Sequence, residues 1–237
     1  MNGPLVSIIL PCYNEEEHLI KSVSLLIEQS KSFEFPFEFI FVEDKSKDGT
    51  AAILRSLEHT FNKARFIFHD TNNGRGAAVK TGFNAALGEI VGFIDVDLEV
   101  SPRYISDFIQ ALKAHDVAIA NRRYFSDTYL RAMIRNSFSN FYRFINKSIL
   151  KHSYTDTEAG FKFFRREKVK DFFAQPSNDH WFWDTEFMMY CFNNDLKVAE
   201  IPVEFLRDHS KRSTVNIVTD SFHYIHQLIR FKKQSKK

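Results

Sequence analysis

Two carboxylates stand at the end of an apolar run in IVGFIDVDLEV (90–100): Asp95 and Asp97, with one residue between them. Side chains of an extended chain alternate in direction, which turns both to one side, with Glu99 continuing the alternation. Two like charges held that close repel unless a cation or a proton compensates. An all-oxygen pair suits a hard divalent ion, Mg2+ or Mn2+, and such ions commonly bridge to substrate phosphates. The same spacing also fits a solvated acidic turn, so the pair alone leaves both readings open. NNGRGAAVKTG (72–82) sets glycines and Arg75 at the start of a helix. Exposed N–H groups there favour anions. The plainer alternative is a turn feeding a helix, with Gly76 and Gly82 serving close packing. Lys80-Thr81 lacks the GxxxxGK context, so the stretch is not a Walker A loop, nor is it a full dinucleotide fingerprint.

The elements that must position these groups follow from the apolar pattern. VSIIL (6–10), FEFIFVE (37–43), ARFIFH (64–69) and EIVGFIDV (89–96) read as buried strands. Between them lie helix-forming stretches, EEEHLIKSVSLLIEQ (15–29), AAILRSLEHTF (51–61) and RGAAVKTGFNAAL (75–87). This alternation predicts an open, mostly parallel α/β sheet flanked by helices. Ligands bind such sheets outside the C-terminal strand ends. The strands end in PCYNEEE, EDKSKDGT, HDTNNGRG and DVD, four polar endings that converge on one edge.

The ordered set PCYNEEEHL, VEDKSKDGT, NNGRGAAVKTGFNAALGE and IDVDLE resembles the N-terminal half of the family 2 glycosyltransferases. The resemblance implies the GT-A fold and a nucleotide-sugar donor. The commonest family form of the second motif is VDDGSTDGT, from which this chain departs at Glu43 and Lys45. Carried over residue by residue, it implies that Pro11, Tyr13, Glu15 and Asp44 contact the donor base and ribose, with Gly76 also on the donor side. Asp95 and Asp97 become the D-x-D pair that holds the metal on the diphosphate.

NRRY (121–124), TDTEAGFKFFRRE (155–167), WFWDTEFMMYC (181–191) and AEIPVEF with the later KRST resemble segments of the polyprenyl-phosphate glycosyltransferases, the group that includes dolichyl-phosphate mannose and glucose synthases. A lipid phosphate is already an anion and needs cations rather than a general base, whereas a sugar hydroxyl must lose a proton. The resemblance makes Arg122, Arg135 and Ser139 the acceptor-phosphate residues. Arg212 would neutralise the donor diphosphate or the acceptor. Asp184 and Glu186 stand where relatives acting on hydroxyls carry the base, though acids at a helix start are also ordinary caps.

The expected activity is therefore an inverting, metal-dependent transfer of a hexose from a UDP- or GDP-linked donor to polyprenyl phosphate. Transfer to a saccharide hydroxyl and a non-catalytic nucleotide-sugar-binding subunit are the alternatives.

Composition bounds the rest. A chain of 237 residues, 44% hydrophobic, builds one sizeable core. The expected domains are a GT-A unit over 1–215 and a basic amphipathic segment over 216–237. A net charge of +2 gives no sign of a nucleic-acid partner. Cys12 and Cys191 have no metal-ligand spacing and read as reduced thiols. The N-terminus lacks a basic n-region and reads as no signal peptide.

Leu130, Ile134, Phe138, Phe141, Ile145 and Ile149 form a helical stripe in a stretch with Arg131, Arg135, Arg143, Lys147 and Lys151. Such a helix fits a core position with a solvated basic face, or a membrane surface. With the basic end SFHYIHQLIRFKKQSKK (221–237), it makes a cytoplasmic protein, peripheral on the cytosolic membrane face, the expectation.

Overall fold

The computed structural model describes residues 5–124, 154–175 and 182–206. The 128–151 stripe, Arg135, Ser139, Arg212 and the expected boundary at 215 lie outside them.

The β-branched and aromatic runs form seven strands among the described residues: β1 (Val6–Cys12), β2 (Phe37–Glu43), β3 (Ala64–Phe68), β4 (Ile90–Ile94), β5 (Val117–Tyr124), β6 (Phe161–Arg165) and β7 (Val198–Phe205). They make one sheet in the order β3-β2-β1-β4-β6-β5-β7. The pairs β1–β2, β2–β3, β1–β4 and β5–β7 are parallel. Strand β6 runs antiparallel to both its neighbours, β4 and β5. Six strands therefore end on one edge, and β6 begins there, which brings the TDTEAG loop back to the same edge. The mostly parallel sheet is the GT-A arrangement expected from the sequence.

Strands buried on both faces explain the near-continuous apolar runs. Val6, Ile8 and Leu10 of β1 belong to one core cluster, and Ile9 between them belongs to the other. The first cluster is closed by α1 (Glu16–Ser30), α2 (Thr50–Leu57) and α4 (Ile105–Ala111), through Leu19, Val23, Leu26, Leu54 and Phe108. The second is closed by α3 (Arg75–Ala85), α5 (Arg166–Ala174) and α6 (Trp183–Asn193), through Val79, Phe83, Phe173 and Phe187. Much of the phenylalanine content is spent here: Phe83 and Phe173 stack with centroids 3.9 Å apart. Each such ring contributes roughly 2–3 kcal/mol of burial.

Helix α3 lies hard against β1, because a Cβ at Gly82 would stand 2.4 Å from Ile9 Cγ2. That approach sets the start of α3, with Arg75, beside the end of β4. Among the described residues no helix is long and apolar enough to cross a membrane.

Candidate active site

Strand β4 stops at Ile94, so the two aspartates leave the sheet in a turn rather than continuing an extended strand. The Leu98 N–H donates to Asp95 O at 3.1 Å, and Leu98 has φ 53°. The Glu99 N–H donates to Asp97 Oδ1 at 3.3 Å. Strand alternation is thus not what brings Asp95 and Asp97 together; a tight turn does. Both line a pocket with Glu99, Val100, Arg122, Gly160, Phe161 and Phe205.

Asp95 is fixed from two sides. Its N–H donates to Gly160 O at 2.8 Å. Its Oδ1 accepts from Arg75 Nη2 at 2.8 Å and from Arg75 Nε at 3.1 Å. Arg75 Nη1 donates to Asp184 Oδ2, and Asp184 Oδ1 accepts from Lys162 Nζ at 2.6 Å. Lys162 Nζ also donates to Ala159 O at 2.6 Å. Charges alternate along Asp95, Arg75, Asp184 and Lys162, and they sum to zero. Burial opposes the charge on Arg75, but Asp184 and Asp95 outweigh it and hold the guanidinium above its ordinary pKa. Burial dominates at Lys162 and pushes its ammonium below the ordinary value, with Asp184 pulling the other way.

Arg122, in β5, reaches Asp156 with both arms: Nε to Oδ2 at 2.7 Å and Nη2 to Oδ1 at 2.9 Å. Its guanidinium also lies over the Phe205 ring, 5.4 Å from the centroid. Such a fork matches carboxylate or phosphate equally well.

The ends of β1 and β2 are knitted into one surface. The N–H of Asn14 donates to Ser46 Oγ at 3.0 Å, that of Lys47 to Asn14 Oδ1 at 2.8 Å, and that of Glu15 to Thr50 Oγ1 at 2.8 Å. Burial works against ionisation of Asp48, yet hydrogen bonds from the Thr50 hydroxyl and from neighbouring N–H groups hold it below the usual carboxylate pKa. Lys45, where the resemblance expects glycine, has φ 58°. Its N–H and that of Ser46 donate to the Glu43 carboxylate at 3.2 and 2.5 Å.

The residues expected on the donor side differ in access. Tyr13 is 38% exposed. Pro11 and Glu15 are half-buried, and Gly76 is buried in the first turn of α3. Asp44 is 3% exposed, and its carboxylate accepts from the N–H of Asn73 at 2.9 Å and of Gly74 at 2.7 Å. Asp44 also pairs with His69 Nδ1 at 2.7 Å, while His69 Nε2 meets Thr81 Oγ1 at 2.9 Å. Asp44 therefore braces the turn that opens α3.

Of the two candidate bases, Asp184 is 2% exposed and enclosed by Arg75 and Lys162, and Glu186 is half-buried in the first turn of α6. Sequence reasoning assigned no role in the site to Lys162, His69 or Asp156, although the motifs it quoted contain all three. Lys162 carried a signal: a lone lysine inside the apolar run GFKFF requires a buried counter-ion.

Among the described residues no three metal-ligating side chains come together. Asp95 and Asp97 are oxygen donors at the pocket, and Mg2+ is usually held by one or two carboxylates with substrate phosphates and waters completing the shell. The donor set fits Mg2+ or Mn2+ on those terms.

Comparison with known proteins bears on the family and the fold. Residues 7–173 match Glycosyl transferase family 2. Glycosyltransferase AglD of Haloferax volcanii is 29% identical over 233 residues, 96% of this chain and 37% of that protein. A dolichyl-phosphate beta-glucosyltransferase of Trichomonas vaginalis is 29% identical over 219 residues, 84% of this chain and 65% of that protein. The chain thus spans less than two thirds of the length of these relatives. Glucosyl-3-phosphoglycerate synthase of Mycobacterium tuberculosis, solved with Mn2+, UDP and glucosyl-3-phosphoglycerate, has the same fold at a TM-score of 0.73 and 18% identity, over 96% of this chain and 80% of that one. With the match running over residues 7–173, through the polar ends of β1 to β4 and the turn of Asp95 and Asp97, the chain belongs to glycosyl transferase family 2.

Proposed function

We propose that this protein transfers a hexose, glucose first among the candidates, from a nucleotide diphosphate sugar to a polyprenyl phosphate, with inversion at the anomeric carbon. The relatives named as dolichyl-phosphate beta-glucosyltransferases support the acceptor and the sugar. The observation that carries the reading is the state of Asp184. At 2% exposure and bound to Arg75 and Lys162, it has no access to a substrate hydroxyl. A phosphate acceptor has no such need, because its oxygen is already anionic.

In this reading Pro11, Tyr13 and Glu15 hold the base and ribose. Asp44 supports them through the Asn73–Gly74 turn, and Gly76 lies beneath the diphosphate. Asp95 and Asp97 would hold Mg2+ or Mn2+, which supplies charge neutralisation on the leaving diphosphate. Arg122 holds the acceptor phosphate, with Arg135, Ser139 and Arg212 contributing from outside the described residues. An acceptor oxygen forms its bond to the anomeric carbon as the bond from that carbon to the donor phosphate breaks, and the nucleoside diphosphate leaves. Attack opposite the leaving group turns an α-linked donor into a β-linked product. The acceptor's lipid tail fits a protein that sits peripherally on the cytosolic face of a membrane.

Radiolabelled UDP-glucose, UDP-N-acetylglucosamine and GDP-mannose, each incubated with dolichyl or undecaprenyl phosphate and Mn2+, test the reading. Label should enter the lipid fraction with one donor, and Asp97→Ala should abolish that transfer while the protein stays folded. Label that never enters lipid refutes the acceptor. Glu186, half-buried one turn into α6, favours a second reading in which a saccharide hydroxyl is the acceptor. Label passing to soluble saccharide, and lost in Glu186→Gln, would establish that reading instead.

A further inference from the structure

The buried charge chain carries an inference that rests on the donor reading above. We propose that Lys162 and Asp184 are positioning residues for the donor diphosphate, acting through Arg75 to set the carboxylate of Asp95.

Neither residue can touch substrate: Lys162 is 0% exposed and Asp184 2%. Stability alone is a poor reason for such a pair, since apolar residues of similar volume commonly serve a core as well or better. Its location is more telling. Arg75 grips Asp95 Oδ1 with Nε and Nη2 and turns Nη1 to Asp184, so its plane is pinned at both ends. Asp184 is in turn pinned by Lys162. Both cations stand 5.2 Å from the centroid of the Phe93 ring, which bounds the space they share.

Lys162 reaches Asp95 by a second route. It bonds to Ala159 O, one residue before Gly160, whose carbonyl takes the Asp95 N–H. One buried ammonium thus fixes both the arginine that orients the carboxylate and the backbone beneath it. The members come from α3, α6, β6 and the turn after β4, so residues of the second half of the chain govern a donor-side group of the first.

Calorimetry of Mn2+–UDP and Mn2+–GDP binding, with donor and acceptor KM measured in parallel, tests this on wild-type protein, Lys162→Met and the double variant Lys162→Met/Asp184→Leu. The double variant removes both charges together, so it stays folded where the single variant takes one cation from the buried Asp184. The expected result is Mn2+–nucleotide binding about tenfold or more weaker, as when groups that orient metal ligands are removed. Donor KM should rise and acceptor KM should stay unchanged. A folded double variant with wild-type Mn2+–nucleotide affinity and donor KM overturns the inference while leaving the donor reading intact. Wild-type protein that binds neither Mn2+–nucleotide overturns the donor reading and this inference with it.

Discussion

Only hydrogen fits at position 160. A Cβ there would lie 1.6 Å from Asp95 Oδ2, so any side chain must displace the carboxylate or the loop. Gly160→Ala is expected to cost about 1–3 kcal/mol of stability as an overpacked site. With Asp95 in the role proposed above, activity should fall as well, on the order of 100-fold, because a catalytic group moved by about 1 Å loses that much. Urea unfolding and initial-rate measurements separate the two effects. Lys45 is a residue-scale case of the opposite sign. At φ 58° it bears the left-handed penalty of roughly 1–2 kcal/mol, against a glycine entropy cost of roughly 0.5–1. Lys45→Gly should therefore raise unfolding stability by roughly 0.5–1 kcal/mol. The D-x-D spacing was legible in the sequence because chemistry restricts which residues serve there. The turn that joins the two aspartates was not, since nothing in DVDLE announces a left-handed leucine.

Elements were legible where their residues answer to a local rule. FEFIFVE forms β2 over the residues the sequence indicates, because β-branched and aromatic residues fit a two-sided buried strand. The expected helix 51–61 instead ends at Leu57, and Phe61 turns back onto the Phe39 ring with centroids 5.5 Å apart, a tertiary contact that no local pattern encodes. The direction of β6 was equally hidden, because FKFFR reads the same whichever way its neighbours run. Asp184 was legible as an acid at a helix start, yet its partner Lys162 lies 22 residues earlier on another element. At this scale Gly82→Ala is the informative change. Its methyl would meet Ile9 at 2.4 Å and push α3 off β1. A loss of about 1–3 kcal/mol, read from the urea midpoint, is expected. Since α3 carries Arg75, donor KM should rise in the same variant.

For the whole molecule, the sheet separates two cores, and each holds one thiol. Cys12 lies in the first cluster and Cys191 in the second, both free and buried. Burial pushes both thiols well above their usual pKa, with Glu15 and Glu43 adding to the effect at Cys12. Thiolate is the reactive form. Neither cysteine should react with a disulfide reagent in the native protein at neutral pH, and both should react on unfolding. Equal labelling rates over a range of denaturant would mark the two cores as one cooperative unit; a faster thiol would identify the core that opens first.

The reversed strand has a mechanical consequence. Backbone pairing links β4 to β6 and β6 to β5, the last ladder ending where Ile119 pairs with Lys162; Asp95 follows β4, Gly160 precedes β6 and Arg122 lies farther along β5. Two strand spacings, about 10 Å in all, therefore separate β4, which leads into Asp95, from β5, which carries Arg122. Lateral hydrogen bonding through β6 joins β4 to β5 as a plate with no hinge between the paired strands. With Asp95 and Arg122 in the donor and acceptor roles proposed above, the separation of their strands is a fixed gauge, set when the chain folds.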